Sequence, residues 1–350
     1  MYNEIETMIG EIMTENQIKN PARWQDIVAR YNQPDALRST WQIINSLVPF
    51  IALWILMAYS LQVGYWLTLL LAVPTAGFLV RLFIIFHDCC HGSFFKDNRA
   101  NELVGLFLGL LVVTPFYQWK RDHSIHHATA GDLDRRGTGD VMTMTVAEYM
   151  VLPWYKKFGY RILRNPLILF TVGSLIDFVL LQRFPTSNSG KKEISNVWWT
   201  NVVLAGIVII LGMTVGWKTF LLVELPVLLF ATSAGVWMFY IQHNFEGTYW
   251  ERHDKWEFFK AGVTGSSFYK LPAILNWFTG NIGYHHIHHL SPRIPNYKLQ
   301  QAYRENQIFQ EVKPLTFWRS LKSLQYRLWD EERKMLVGFN VLRNRRSRGM

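Results

Sequence analysis

Tyr284-His285-His286-Ile287-His288-His289-Leu290 places four histidines in seven residues. His285, His288 and His289 stand at i, i+3 and i+4, a spacing that gathers three imidazoles on one face of a helix. The same spacing recurs at His123, His126 and His127, and His87 and His91 stand at i and i+4. Eight of the 11 histidines belong to these three clusters. Two copies of His-x2-His-His in one chain are hard to attribute to chance. Imidazoles at this density need a common partner, and the usual one is a transition metal bound through neutral ring nitrogens.

The surroundings of the clusters are membrane-like. Half of the 350 residues are hydrophobic and 15% are aromatic, which suits membrane helices carrying a sizeable water-facing part. Trp41 to Val80 contain no charged residue over 40 positions, enough for two crossings of about 20 residues each. Ile43–Leu61 and Gly64–Phe86 are read as helices one and two, with Pro49 and Pro74 tolerable inside them. Trp198–Trp217 and Thr219–Ile241 are read as helices three and four, with Glu224 the one internal charge. Leu103–Gln118 and Leu167–Gln182 are apolar but short, and Asp177 interrupts the second.

Parity then fixes a topology. If all clusters meet at one site, they lie on one side of the membrane. Two crossings precede His87, so neither short segment crosses, and four helices span. Arg183, Lys191 and Lys192 fall on the cytosolic side by the positive-inside rule. The expected fold is an all-α integral membrane protein with a cytosolic, histidine-rich di-metal cap. Its parts are a cytosolic N-terminal segment (1–42), helices one and two (43–86), a cytosolic or interfacial region with the first two clusters (87–197), helices three and four (198–241), and a cytosolic C-terminal region (242–350). Lys19, Arg23, Arg30 and Arg38 make the first segment basic, and Arg343 to Arg348 end the last. The net charge of +10 fits an anionic membrane surface. No nucleic-acid module is present to explain it otherwise. Adjacent Cys89 and Cys90 form no disulfide framework, in keeping with a reducing compartment. The polar N-terminus carries no signal-peptide pattern.

Each chemical residue has a plain alternative. His87 and His91 alone would be interfacial histidines at a helix end, but beside two further clusters they read as ligands. His243, in Tyr240-Ile241-Gln242-His243-Asn244, ends the last spanning helix and arrives where the clusters must meet. Asp88 is placed to orient an imidazole as an acceptor, and His286, one step off the shared face, is read as a neighbour of the ligands. Cys89 and Cys90 are read as packing residues, since thiolates beside a redox-active metal would oxidise. Asp134, Arg135 and Arg136 are candidate contacts for a lipid head group or an electron donor. The Gly137-Thr138-Gly139 stretch lacks the strand and helix of a nucleotide site and reads as a polar loop. His253, in a charged stretch, reads as surface. Nine imidazoles exceed one coordination sphere and suit two metals with four or five nitrogens each. Imidazole suits zinc, copper, iron and nickel alike, so the residues alone do not name the metal.

His-x3-His followed by two His-x2-His-His motifs resembles the three histidine boxes of the membrane fatty acid desaturases. Phe86-His87-Asp88-Cys89-Cys90-His91, His126-His127-Ala128-Thr129 and Gly280 through Pro292 resemble most the bacillus-type delta-5 acyl-lipid branch, over roughly residues 40–335. The resemblance implies a non-haem di-iron centre that uses O2 and two external electrons to place a cis double bond in the saturated acyl chains of membrane phospholipids. By the same analogy His87, His91, His123, His126, His127, His243, His285, His288 and His289 are the ligands. In animal acyl-CoA members an asparagine one turn before the isolated histidine binds the metals through water, and here that position is Phe239. No His-Pro-Gly-Gly of a fused cytochrome b5 occurs, so a separate ferredoxin or flavodoxin is expected as donor, and the basic cytosolic surface suits an acidic one. The expected location is the cell membrane, multi-pass, with both termini and the active site cytosolic. A hydroxylase or ketolase with the same boxes is the neighbouring alternative. A metal transporter is disfavoured because it would line its spans with histidines or carboxylates.

Overall fold

The computed structural model describes residues 21–342. Lys19 and the basic stretch from Arg343 to Arg348 lie outside the described residues. Among the described residues four stretches are long and apolar enough to cross a membrane: Ala36–Ser60, Tyr65–His91, Pro166–Arg183 and Lys191–His243. The described residues are mostly helical, with loops between the helices and one small sheet. In it β1 (Met144–Thr145) pairs parallel with β2 (Leu328–Asp330), and β2 pairs antiparallel with β3 (Met335–Val337).

Helix α1 (Ala36–Ser60) starts where the Asp35 side chain accepts from the Arg38 amide, satisfying one of the free donors of a helix start. Helix α2 (Tyr65–His91) runs past the apolar stretch that the composition marks, so His87 and His91 are helical. It stops at Gly92, whose φ of 67° is left-handed, a conformation that glycine adopts without a Cβ clash. Hydrogen bonding and the C-cap end this helix, which is why the expected boundary at Phe86 falls one turn short.

Helices α3 (Asn98–Leu111) and α4 (Phe116–Thr129) meet at a 103° bend. Helix α3 runs back along α2, with Gly109 against the Phe86 ring. The elbow is tight, since a Cβ at Gly109 would lie 2.6 Å from the Thr114 carbonyl oxygen. Helix α4 then returns His123, His126 and His127 to the level of His87 and His91.

Helix α5 (Trp154–Leu163) precedes Pro166–Arg183, which mixes α-, π- and 3-10-helical turns. Both ends of that segment are tied to histidine-bearing helices. Arg164 donates to the Tyr240 hydroxyl at 3.3 Å, three residues before His243. At the other end, Gln118 donates to the Phe184 carbonyl, and Arg121 donates to Thr186.

Helix α6 (Lys191–Leu211) passes through a π turn into α7 (Trp217–His243). Gly216, with φ 91° and ψ 134°, breaks the two apart. Both helices begin or end beyond the expected Trp198–Trp217 and Thr219–Ile241, and His243 is the last helical residue of α7. Met57, Leu82, Ile85 and Val227, none with measurable exposure, fill the core between α1, α2 and α7. A second core under the third cluster contains Ile287, Ile294 and Leu299, all fully buried.

Candidate metal centre

Four separate elements deliver the imidazoles. Helix α2 ends on His87 and His91, α4 carries the second cluster, α7 ends on His243, and α8 (His285–Leu290) carries the third. They form two groups, each able to hold a metal ion. One contains His87, His91, His123, His127 and His288, and the other His126, His243, His285 and His289. Within each group one ligand atom per residue lies within 4.8 Å of all the others.

The two boxes share their ligands reciprocally. The second box gives His123 and His127 to the first group and His126 to the other, while the third box gives His288 to the first group and His285 and His289 to the other. Helical geometry explains this. At 3.6 residues per turn, i and i+4 diverge by about 40°, whereas i+3 and i+4 diverge by about 100°. Each helix therefore lies between the two sites and points its i, i+4 pair at one and its i+3 residue at the other.

The donor set fits a metal. The Nε2 of His127 lies 3.1 Å from the Nε2 of His123 and 3.1 Å from that of His288. The Nε2 of His243 stands 3.1 Å from those of His126 and His285. Two nitrogens at right angles on an ion with bonds of about 2.1 Å lie ~3.0 Å apart. Among the described residues, buried His91 Nε2 and His289 Nε2 have no hydrogen-bond partner, an arrangement that costs free energy unless a ligand satisfies them. Burial first, then the neighbouring imidazoles, push His123, His127, His285, His288 and His289 well below the ordinary histidine pKa. They are neutral, with lone pairs available for coordination.

Outer groups orient the rings, as ligating imidazoles require. His87 Nδ1 is 3.1 Å from Asp88 Oδ1. The other Asp88 oxygen accepts from the Asn296 amide at 2.7 Å and from its side chain at 2.9 Å. His243 Nδ1 faces the Gly265 carbonyl at 3.2 Å. His126 Nδ1 lies 2.5 Å from Asp140 Oδ1. Asp140 directly follows the Gly137-Thr138-Gly139 loop. Fourteen residues separate it from His126, and no periodicity links them. Trp119, one turn before His123, stacks on that ring at 4.2 Å, a helical i, i+4 contact that the sequence does contain.

The remaining candidates lie elsewhere. His286 points away from both groups. Its Nε2 faces the Phe309 carbonyl at 3.1 Å, and burial lowers its pKa to about 4. Asp134 accepts from Arg252 and from the His253 amide, Arg135 donates to Asp132, and Arg136 is paired with Glu148. All three are thus engaged within the chain. Phe239 packs its ring 5.1 Å from His126 and 5.8 Å from His243, so an apolar face stands beside the group of four.

A mainly apolar cavity of about 540 Å³ runs up to the first and second groups, reaching His87, His123 and His285. Leu79, Phe83, Leu228 and Val236 line its walls, and Ile168, Gly173 and Phe178 of the Pro166–Arg183 segment close one side.

Comparison with known proteins gives a consistent picture. The family model described as "Fatty acid desaturase" matches residues 63–320. The chain is 47% identical over 317 residues to a fatty acid desaturase of Bacillus subtilis, covering 91% of this chain and 90% of that protein. It is 29% identical over 234 residues to an sn-1 acyl-lipid omega-3 desaturase (ferredoxin) of Synechocystis sp., covering 63% of this chain and 62% of that one. It is 24% identical over 301 residues to a chloroplastic sn-2 acyl-lipid omega-3 desaturase (ferredoxin) of Arabidopsis thaliana, covering 81% and 65%.

Proposed function

Because the chain belongs to the fatty acid desaturase family, we propose that it introduces a cis double bond into saturated acyl chains of membrane phospholipids, at the delta-5 position, using O2 and two electrons from ferredoxin or flavodoxin. The observation that carries this reading is the convergence of nine imidazoles, five and four, at the head of an apolar cavity. The nine are the proposed ligands of two iron ions. Bound there, the irons would supply the O2 activation by which R–CH2–CH2–R′, O2, two electrons and two protons become R–CH=CH–R′ and two waters.

The chain's own residues do the rest. Asp88, Asp140 and the Gly265 carbonyl hold ring Nδ1 atoms and so aim Nε2 inward. Leu79, Phe83, Leu228 and Val236 hold an acyl chain against the site and exclude water, which strengthens every polar interaction within it. The acyl-lipid substrate and the ferredoxin donor are supported by the names of the cyanobacterial and plant relatives. The net charge of +10 suits an acidic donor.

The proposed topology has four crossings, α1, α2, α6 and α7, with the site cytosolic in the cell membrane. The ties at both ends of Pro166–Arg183 support a segment that lies along the interface without crossing. Arg183, Lys191 and Lys192 support a cytosolic exit. The test is purified enzyme with reduced ferredoxin, O2 and isotope-labelled phosphatidylglycerol, acyl-CoA or acyl-carrier protein in turn. Phosphatidylglycerol is expected to gain the double bond fastest. Faster desaturation of a thioester, with the phospholipid unchanged, would refute the lipid substrate, and conversion of none of them would refute the activity.

A further inference from the structure

Pro166–Arg183 has two faces of opposite character. Ile168, Leu169, Gly173, Ser174, Asp177 and Phe178 line the cavity. Leu167, Val172, Ile176 and Leu180 point outward with exposures of 76%, 58%, 43% and 52%. The alternation follows helical spacing, so a single layer of backbone separates the cavity from the lipid side.

That layer is fixed at its ends and loosely held between them. Arg164 is tied to Tyr240 and to the Tyr326 carbonyl, and Arg183 to Asn201 and the Val113 carbonyl. Between them, one side-chain hydrogen bond joins residues 166–182 to another element among the described residues. It links Ser174 Oγ and Thr232 Oγ1 at 3.2 Å. The remaining contacts are apolar, including the Phe170 ring on Trp237 and Phe178 on Phe83. A π-helical turn, Leu169–Gly173, sits just before the tie. Such turns are rare and are frequently found at functional sites. A wall with firm ends, a weak middle and a π turn beside its single tie is built to bow outward.

We propose that acyl substrate reaches the cavity sideways from the bilayer, between the short helix Ser174–Val179 and α7, with the Ser174–Thr232 contact as the latch. This inference rests on the desaturase reading and deepens it. It makes the substrate a membrane-resident lipid whose chain never leaves the leaflet. A soluble thioester, approaching from the polar face, would not need the wall to move. Asp177, which lines the cavity and has no hydrogen-bond partner among the described residues, is uncovered when the wall bows.

A disulfide tests this directly. Ser174→Cys with Thr232→Cys places two thiols where the hydroxyls touch, within reach of a bond that needs Cβ atoms about 3.8 Å apart. Native Cys89 and Cys90 are buried and free. In nanodiscs with labelled phosphatidylglycerol, reduced ferredoxin and O2, the reduced variant is expected to desaturate. Oxidation is expected to cut its rate more than about tenfold, as locking a gating element does, with recovery on reduction. Either single variant is expected to be unaffected by the oxidant. Equal rates in locked and unlocked protein would overturn lateral access while leaving desaturation intact. Binding gives the same answer without turnover. Phosphatidylglycerol with a diazirine on its acyl chain is expected to label the peptide containing Gly235, Val236 and Met238 in reduced protein and not in oxidised protein. Equal labelling in both states, or labelling only from a diazirine acyl-CoA, would overturn the proposal.

Discussion

The Nδ1 of His126 sits 2.5 Å from a carboxylate oxygen of Asp140. A carboxylate there fixes the ring's tautomer and keeps Nε2 free of a proton. Asp140→Asn is expected to lower metal retention and turnover by ~10–100-fold. Metal content per chain checks the first and labelled-lipid turnover the second. Full metal content and full activity in the variant would make this contact incidental.

His243 is a lone histidine, yet it touches both His126 and His285. His243→Ala is expected to lose more than about 100-fold in activity and to release metal from the group of four, because a coordinating nitrogen and its fixed geometry go together. His253→Ala serves as the contrast. Its side chain is 58% exposed, hydrogen-bonds Asp132 and belongs to neither histidine group, so activity is expected to stay within about twofold, as for a surface substitution. Wild-type activity in His243→Ala would remove that residue from the site.

On the proposed topology both ends of Pro166–Arg183, tied to α7 and α4 through Arg164 and Phe184, lie on one side. A reporter fused after Gln182 is expected to report the same compartment as one fused after Gly338. Opposite readings would make this segment a crossing and demand a further one elsewhere.

The elbow between α3 and α4 tolerates no side chain at Gly109. Gly109→Ala brings a Cβ to 2.6 Å from the Thr114 carbonyl oxygen, and backbone cannot swing aside as a side chain can. Destabilisation of ~1–3 kcal/mol is expected, seen as a lower Tm in detergent. Gly206→Ala, with nothing within 4 Å of its Cβ, is expected to leave Tm unchanged. An unchanged Tm in both variants would mean that the elbow relaxes freely.

The sequence by itself determined which residues gather and in what medium. Local spacing decides that His123, His126 and His127 share a helix face, because helical rotation per residue is fixed. Uncharged length decides that α1 and α2 are membrane helices, because hydrocarbon excludes charge. The same spacing also held the reciprocal sharing of the two boxes, though only as an angle, and an angle has meaning only once two sites flank the helix. Tertiary structure decided the rest. Where α2 stops depends on the left-handed turn at Gly92, not on composition. Asp140 reaches His126 through a loop whose path no periodicity encodes. Length alone admits Pro166–Arg183 as a span, since 18 residues pass as one. The anchoring of its ends depends on hydrogen bonds that join Arg164 and Gln118 to partners far away in the chain, which exist only when the helices are already packed together.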